Sequence, residues 1–238
     1  MGKLREVRKH VVDILAAADW RERLEALEAY PPKVVIGPLY ACLLDADETI
    51  RWRAVAGFGV TVSRMAATKM EDARGLMRQF MWRLNEESGN IAWGIPEAFG
   101  EVLAVQPELA LEFHRVLASY IKERPCESGD NYLELCPLRR GVYWGLGRLA
   151  QARPELALPA FNDLALALQG DDAPNRGLAA WALGPLLPLA DARAPEMADA
   201  VRAKLLALGG DETSVELFSG GSLRRETVGA LARQAAGG

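Results

Sequence analysis

Apolar residues recur at helical spacing along most of the chain. Val7, Val11, Ile14 and Leu15 form the first apolar stripe, and similar stripes follow between turns rich in Gly, Pro, Asp and Asn. Since residues three and four apart share one face of an α-helix, this pattern predicts amphipathic helices. No segment shows the sustained alternation typical of a strand, so the sequence predicts an all-α chain. The predicted helices beyond the N-terminal region span residues 35–44, 50–65, 71–84, 91–105, 108–123, 138–151, 155–168, 176–187, 195–208 and 223–235.

A ten-residue phrase is repeated five times along this helical pattern. The copies are IRWRAVAGFG (50–59), IAWGIPEAFG (91–100), LRRGVYWGLG (138–147), NRGLAAWALG (175–184) and LRRETVGALA (223–232). Their last residues lie 41, 47, 37 and 48 positions apart. A period of roughly 40–47 residues is typical of paired helices stacked in a solenoid. The spacing therefore predicts a superhelix, or α-solenoid, of roughly five repeats, and no composition shift divides residues 1–238 into more than one domain.

Two of the copies resemble a known repeat class. LLDADETIRWRAVAGFG (43–59) and LALQGDDAPNRGLAAWALG (166–184) are similar to the HEAT-like repeat of the phycobilisome-lyase (PBS lyase) type, which has an apolar pair, an Asp-rich turn, Val-Arg and an Ala-rich stretch ending in Leu-Gly. Other copies depart from it, with Ala92 at the usual arginine and Ala232 at the usual terminal glycine. ESGNIAWGIPEAFGEV and CPLRRGVYWGLGRLA are also similar to uncharacterised bacterial HEAT-like proteins. The resemblance implies a HEAT-like fold and transfers no established activity.

Net charge and cysteine content limit the kinds of partner and the cellular compartment that the sequence predicts. The formal net charge is −4 and the isoelectric point is about 5.4, which makes a nucleic-acid partner unlikely because phosphate binding depends on lysine and arginine. The N-terminus is charged and lacks a signal-peptide core, and no window approaches 18 uncharged apolar residues, so no membrane association is expected. Three cysteines in a long chain indicate a reducing compartment, and the cytoplasm is the predicted location. No cofactor motif is present, so none is predicted.

The arginine of each repeat has a structural interpretation. Arg51 follows the acidic turn that contains Asp45 and Asp47, and Arg176 follows Asp171 and Asp172. Arginine stabilises such turns with several hydrogen bonds at once. We therefore predict that both side chains bond back to their own turns.

The positions that a generic repeat leaves variable hold the candidate binding residues. At these positions stand Trp93, Glu97, Arg140, Trp144 and Trp181, and Trp52 occupies the matching place in the first copy. Arg148 joins the candidate set because it shares a helix face with Arg140 and Trp144. Exposed Trp and Arg are favoured anchors of protein interfaces. The alternative is that these tryptophans pack between adjacent repeats, since Trp is usually largely buried. Glycines beside them indicate close approach of a backbone or a ligand.

Two functions fit this pattern. The favoured one is a non-enzymatic scaffold or adaptor that binds a protein partner on one face of the stack. The other is a ligand-handling protein or enzyme with a small ligand. The PBS lyase resemblance implies a tetrapyrrole in that case, and analogy with HEAT-like DNA glycosylases suggests a base held by Trp93, Trp144 and Glu97. The sequence leaves enzymatic activity undecided.

Metal binding has little support in the sequence. Cys126 and Cys136 lie in the longest predicted loop, and His114 lies on the preceding helix. Neither their spacing nor their number matches a known zinc pattern, so we predict no metal site and small buried thiols instead.

Overall fold

The computed structural model describes residues 2–85, 92–123 and 131–237. The helices of the first half are α1 (Gly2–Ala16), α2 (Trp20–Arg23), α3 (Pro32–Cys42), α4 (Glu48–Leu84), α5 (Ile95–Val105) and α6 (Pro107–Ser119). Those of the second half are α7 (Cys136–Ala152), α8 (Pro154–Ala157), α9 (Phe161–Ala167), α10 (Ala173–Leu183), α11 (Leu187–Arg193), α12 (Pro195–Ala207) and α13 (Val228–Gly237). Short 3₁₀ turns occupy Leu24–Ala29, Leu158–Ala160 and Gly184–Leu186. No helix within these described ranges is both long and apolar enough to cross a bilayer.

Each repeated phrase contributes residues to one helix of a row of consecutively packed helices. Helix α4 packs on α5, α5 on α7, α7 on α10 and α10 on α13. A second set of helices covers this row, with α3 on α4, α6 on α5, α9 on α10 and α12 on α13. The apolar faces merge into one continuous buried core from the first helix to the last. The predicted all-α helical-repeat fold is confirmed.

Glycine allows the central helices of the row to touch. Gly100 of α5 faces Gly145 of α7, and a Cβ on Gly100 would overlap the backbone at Gly145. Interior glycine costs helix stability, so its presence at this crossing is explained by the backbone contact that it permits. The close approach inferred from the sequence is thus confirmed at this pair.

The repeat arginines bond to their own turns, as predicted. Nη1 of Arg51 donates to the carbonyl oxygens of Asp45 at 2.8 Å and Ala46 at 3.3 Å. Nη1 of Arg176 donates in the same way to Gly170 and Asp171, at 2.9 and 3.1 Å. Arg139 repeats the arrangement in the third copy, with the carbonyls of residues 133 and 134. The same set of arginine bonds therefore fixes the turns of the first, third and fourth copies.

Several helix boundaries differ from the prediction, and proline or glycine explains most of them. The predicted helices 50–65 and 71–84 are joined within α4 through a kink at Lys69, whose backbone is extended. Helix α5 begins only at Ile95, after Gly94 and with Pro96 in its first turn. The predicted helix 155–168 is divided into α8, a 3₁₀ turn and α9. Pro159 lies in that turn, where its ring disfavours a continuous helix.

The Gly-rich connector before the last helix forms a β-hairpin. Strand β1 (Ser214–Ser219) pairs antiparallel with β2 (Ser222–Thr227), and the turn residues Gly220 and Gly221 have φ of 60° and 79°. Two residues with positive φ make the tight turn that suits a hairpin, and Gly-Gly is a favourable pair for it. The prediction of a helix from residue 223 was wrong, because residues 223–227 pair with β1 and α13 begins at Val228.

Candidate functional site

A cleft opens where the turn between α3 and α4 faces the start of α5. Its volume is about 430 Å³. We call it the Trp93 cleft, and its lining residues are Leu43, Leu44, Asp45, Glu48, Arg51, Trp52, Val55, Trp93, Gly94 and Glu97. Two of the six residues singled out from the sequence, Trp93 and Glu97, are therefore brought together here.

The turn that precedes α5 places Trp93 at the mouth of this cleft. Gly94 has a φ of 74°, a left-handed conformation that favours glycine. A Cβ at this position would also press on the Leu43 side chain, 3.0 Å away. The close packing of the turn on α3 leaves the Trp93 side chain 40% exposed. Trp93 is thus presented by a tightly fixed backbone.

Glu97 lies in the first turn of α5, with its carboxyl group against α7. A Cβ on Gly141 would lie 2.5 Å from the carboxyl carbon of Glu97, so the glycine makes room for this acid. The side chain as a whole keeps some exposure towards the cleft, but Oε2 is shielded from solvent and has no hydrogen-bond partner among the described residues. Burial raises the pKa of Glu97 from 4.5 to about 7.

Trp52 forms the inner wall of the Trp93 cleft and is held by other aromatic rings. Its ring stacks on Phe218 of the hairpin, with centroids 5.3 Å apart and planes 10° apart. Trp144 of α7 packs beside it at 4.9 Å. Offset and tilted ring pairs at such distances are favourable, so the indole of Trp52 is fixed before anything enters the cleft.

The charged groups around the Trp93 cleft are mainly acidic. Arg51 has an ion pair with Glu48, with Nη2 and Oε1 3.2 Å apart, in addition to its bonds to the turn. Burial, and then the nearby Glu216 of β1, raise the pKa of Glu48. Asp45 accepts a bond from the backbone N–H of Asp47 at 2.9 Å. The single arginine of the lining is therefore held by its own turn and by Glu48, and carboxyl groups outnumber it three to one among the lining residues.

The other four predicted binding residues are packed or paired elsewhere. Arg140 makes a two-point ion pair with Asp172, at 2.6 and 3.2 Å. Trp144 is only 1% exposed, and Trp181 is stacked near it with centroids 6.5 Å apart. Trp181 also packs against α7 at Gly147, where a Cβ would overlap its ring. These contacts match the alternative interpretation in which tryptophans pack between repeats.

Arg148 faces a second hollow, whose lining does not include Trp52. This hairpin groove, of about 660 Å³, is lined by residues of α2, α4, α5 and α7 and by the tip of the hairpin, among them Trp20, Glu101, Trp144, Arg148 and Phe218. Arg148 pairs with Glu101 there, with Nε and Oε2 2.7 Å apart. Trp144 Nε1 donates to the Phe218 carbonyl oxygen at 2.8 Å. The six predicted residues therefore do not line one pocket, and their binding role stays a prediction.

The cysteines and histidine considered for metal binding have other contacts. Cys136 Sγ accepts a bond from Arg139 Nη2 at 3.1 Å, and His114 Nδ1 lies 2.9 Å from the Ala110 carbonyl oxygen. Cys126 lies outside the described residues. Within the described part of the chain, no group of three or more His, Cys, Asp and Glu side chains is arranged to hold a metal ion.

Sequence reasoning left several lining residues out of the candidate site. Trp52 occupies the same kind of variable position as Trp93, which was the available signal for it. Asp45, Glu48 and Arg51 belong to the repeat's turn, and their structural role concealed their position in the cleft. The contribution of Phe218 had no signal once its segment was interpreted as a connector.

Comparison with known proteins shows that the chain is similar to several solved structures. No family model and no curated protein matches the chain. The chain is similar to a crystal structure of an engineered protein, with 16% identity and a TM-score of 0.48 over 98% of this chain and 95% of that one. It is similar to a designed armadillo repeat protein in complex with the peptide (KR)4, with 14% identity and a TM-score of 0.48 over 97% and 98%. It is also similar to the archaeal HEAT-like repeats protein from Thermococcus onnurineus NA1, with 13% identity and a TM-score of 0.40 over 98% and 95%. The repeat proteins among these are of the HEAT-like and armadillo classes, and the PBS lyase subtype stays a prediction.

Proposed function

We propose that the chain is a protein-binding helical-repeat scaffold whose partner docks on the face where the Trp93 cleft opens. The observation that carries this proposal is the exposure of Trp93 at the mouth of a preformed hollow. Leu44 stands at the same mouth and is 64% exposed. Large apolar side chains exposed around a concavity are typical of binding surfaces, and tryptophan is the residue most enriched among energetic hot spots.

This proposal narrows the binding face predicted from the sequence. Trp144 and Trp181 are buried, and Arg140 and Arg148 are committed to Asp172 and Glu101. Trp93 and Glu97 are the members of the predicted set that line the Trp93 cleft. We therefore assign the partner to this end of the array and not to a stripe along the central repeats.

Photo-crosslinking tests the proposal. A benzophenone amino acid replaces Trp93 in one protein and Trp82 in another, because Trp82 is an equally large side chain that is 67% exposed and does not line the cleft. We expect a defined protein adduct from position 93 that unlabelled wild-type protein competes away and Trp93→Ala protein does not. With the purified partner, Trp93→Ala is expected to weaken binding at least about thirtyfold, the effect of a hot-spot residue, and Trp82→Ala to leave it unchanged. Equal adducts from both positions would refute this docking face.

A small-ligand function is the second candidate, and the dimensions of the cleft favour it. Its volume falls within the roughly 300–1,000 Å³ of ordinary ligand sites. The glycosylase-like version required Trp93, Trp144 and Glu97 around one base, yet Trp144 lies behind Trp52 and does not line the cleft. Native mass spectrometry and visible absorbance of protein from its own cells test this alternative, since a bound chromophore would add mass and colour. The cytoplasmic location stays a prediction that cell fractionation checks.

A further inference from the structure

The charges that line the Trp93 cleft do not balance. Three carboxyl groups, those of Asp45, Glu48 and Glu97, stand against one guanidinium, that of Arg51. Arg51 already donates to two carbonyl oxygens of its turn and pairs with Glu48. A positively charged occupant would supply the charge that the described lining residues lack.

Among the three lining acids, Glu97 is the one with a buried carboxyl oxygen that lacks a hydrogen bond within the described part of the chain. Its carboxyl group rests against the α7 backbone at Gly141, and Oε2 is shielded from solvent without a hydrogen-bond partner among the described residues. Buried polar atoms in folded proteins are almost always hydrogen-bonded, because leaving one unpaired is costly. Since Glu97 also lines the open cleft, a turn of its side chain away from Gly141 would bring the carboxyl group to an occupant of the cleft.

The aromatic lining indicates which kind of cation fits. Trp52 forms one wall and is held by its stack on Phe218, and Trp93 stands at the mouth. The face of an indole attracts organic cations, and arginine more often than lysine. A guanidinium also bonds a carboxylate through two parallel N–H groups and is less strongly hydrated than an ammonium, so it enters a partly buried site at lower cost.

We propose that the Trp93 cleft binds an arginine side chain of the protein partner, with the guanidinium on Glu97 and between the Trp52 and Trp93 indoles. That the arginine belongs to a protein partner rests on the proposed function. That the occupant is positively charged is inferred from the residues of the cleft alone. The neighbouring carboxyl groups of Asp45 and Glu48 add to the attraction for the guanidinium, but the buried acceptor is the carboxyl group of Glu97.

A matched set of short peptides tests this assignment. The probes are acetylated and amidated Gly-Gly-Xaa-Gly-Gly peptides in which Xaa is arginine, citrulline or lysine. Citrulline keeps the shape of arginine and removes its charge. Binding is followed by the indole N–H resonances of the protein in NMR titrations, assigned with Trp52→Phe and Trp93→Phe proteins. We expect the arginine peptide to shift both resonances to saturation and the citrulline peptide to bind at least about tenfold more weakly.

Variants separate the buried acid from general surface charge. Glu97→Gln is expected to weaken the arginine peptide at least about tenfold, because the amide keeps the shape and loses the charge. Glu108→Gln is the control, since Glu108 also follows a proline in the first turn of its helix but is exposed. Circular dichroism spectra that match the wild type establish that each variant is folded.

Each outcome decides one claim. Equal binding of the citrulline and arginine peptides, or unchanged binding by Glu97→Gln, would overturn the cation site. A lysine peptide that binds as tightly as the arginine peptide would overturn the choice of guanidinium. A short oligonucleotide that shifts these resonances while the arginine peptide does not would overturn the assignment to a protein side chain. If crosslinking from position 93 succeeds but no basic peptide binds, the proposed function stands and this inference fails. If the arginine peptide binds but position 93 gives no protein adduct, the cation site stands and its assignment to a protein partner fails.

Discussion

Replacing Glu97 by glutamine is expected to stabilise the protein above pH 7 and to change its stability little at pH 5. Burial raises the pKa of this carboxyl group in the folded chain from 4.5 to about 7. Between these two values the folded protein keeps a proton that the unfolded chain releases. The stability gained from the neutral acid is therefore complete below pH 4.5 and is lost as the pH rises through about 7.

The size of the effect follows from the two pKa values. They differ by about 2.5 pH units, and each unit corresponds to about 1.4 kcal/mol, so the ionised carboxylate lowers the free energy of unfolding by about 3 kcal/mol at pH 8. Glutamine is neutral at every pH and nearly the same shape, so the variant avoids this loss. For a chain of 238 residues, that difference corresponds to about 6–12 °C in Tm.

Urea denaturation at pH 5 and pH 8, followed by far-UV circular dichroism, measures the effect. Wild type, Glu97→Gln and the exposed control Glu108→Gln are compared in parallel, so that other titrating groups contribute equally to all three. We expect the gain in the free energy of unfolding that Glu97→Gln shows over the wild type to be about 2–3 kcal/mol larger at pH 8 than at pH 5. The free energy of unfolding of Glu108→Gln should match that of the wild type at both pH values. If the wild type and Glu97→Gln changed equally between the two pH values, Glu97 would not be the buried acid described above.

Four further substitutions have distinct expected outcomes. Gly141→Ala pushes a methyl group against the Glu97 carboxyl group and should lower the free energy of unfolding by about 1–3 kcal/mol in chemical denaturation. The loss should be smaller in a protein that also carries Glu97→Ala. Equal losses in the two backgrounds would contradict the contact. Gly100→Ala forces α5 away from α7 and should cost at least about 3 kcal/mol. Gly75→Ala should instead raise the free energy of unfolding by about 0.5–1 kcal/mol, because the new methyl group would meet no atom closer than 3.9 Å, on the Arg78 side chain. A lower free energy of unfolding would show that helix propensity does not determine stability at that position. Trp144→Phe removes the indole N–H that bonds the hairpin and should cost about 1–3 kcal/mol by the same measurement, so an unchanged stability would remove that bond from the account.

The fold could be predicted because its signals are local and repeated. Apolar spacing and the five phrases indicate the stacked helices, and the arginine turns follow from chemistry within about six residues, as in Arg51. The hairpin was missed although Gly-Gly between two short segments was a recognisable turn signal. In a chain dominated by helical spacing, the arginines of β2 were assigned to the next helix.

The site was only half predictable, because its geometry depends on contacts distant in sequence. Trp93 and Glu97 lie on either side of the start of α5, so their proximity follows from the sequence, whereas the orientation of Trp93 depends on the turn at Gly94. Trp52, which forms the opposite wall, lies one repeat earlier in the sequence and is held in place by Phe218, near the other end of the chain. Burial of Trp144 depends on the same hairpin, so no local pattern distinguished this packed tryptophan from an exposed one.

The hairpin changes how the array is expected to unfold. In an open row of repeats each unit contacts only its neighbours, so the end units can unravel while the middle stays folded. Here Phe218, close to the C-terminus, contacts Trp20 near the N-terminus as well as Trp52 and Trp144. Loss of either end would thus expose aromatic surface at the other, which favours unfolding as one cooperative unit. During synthesis, the first repeats cannot complete their own packing until the hairpin has left the ribosome.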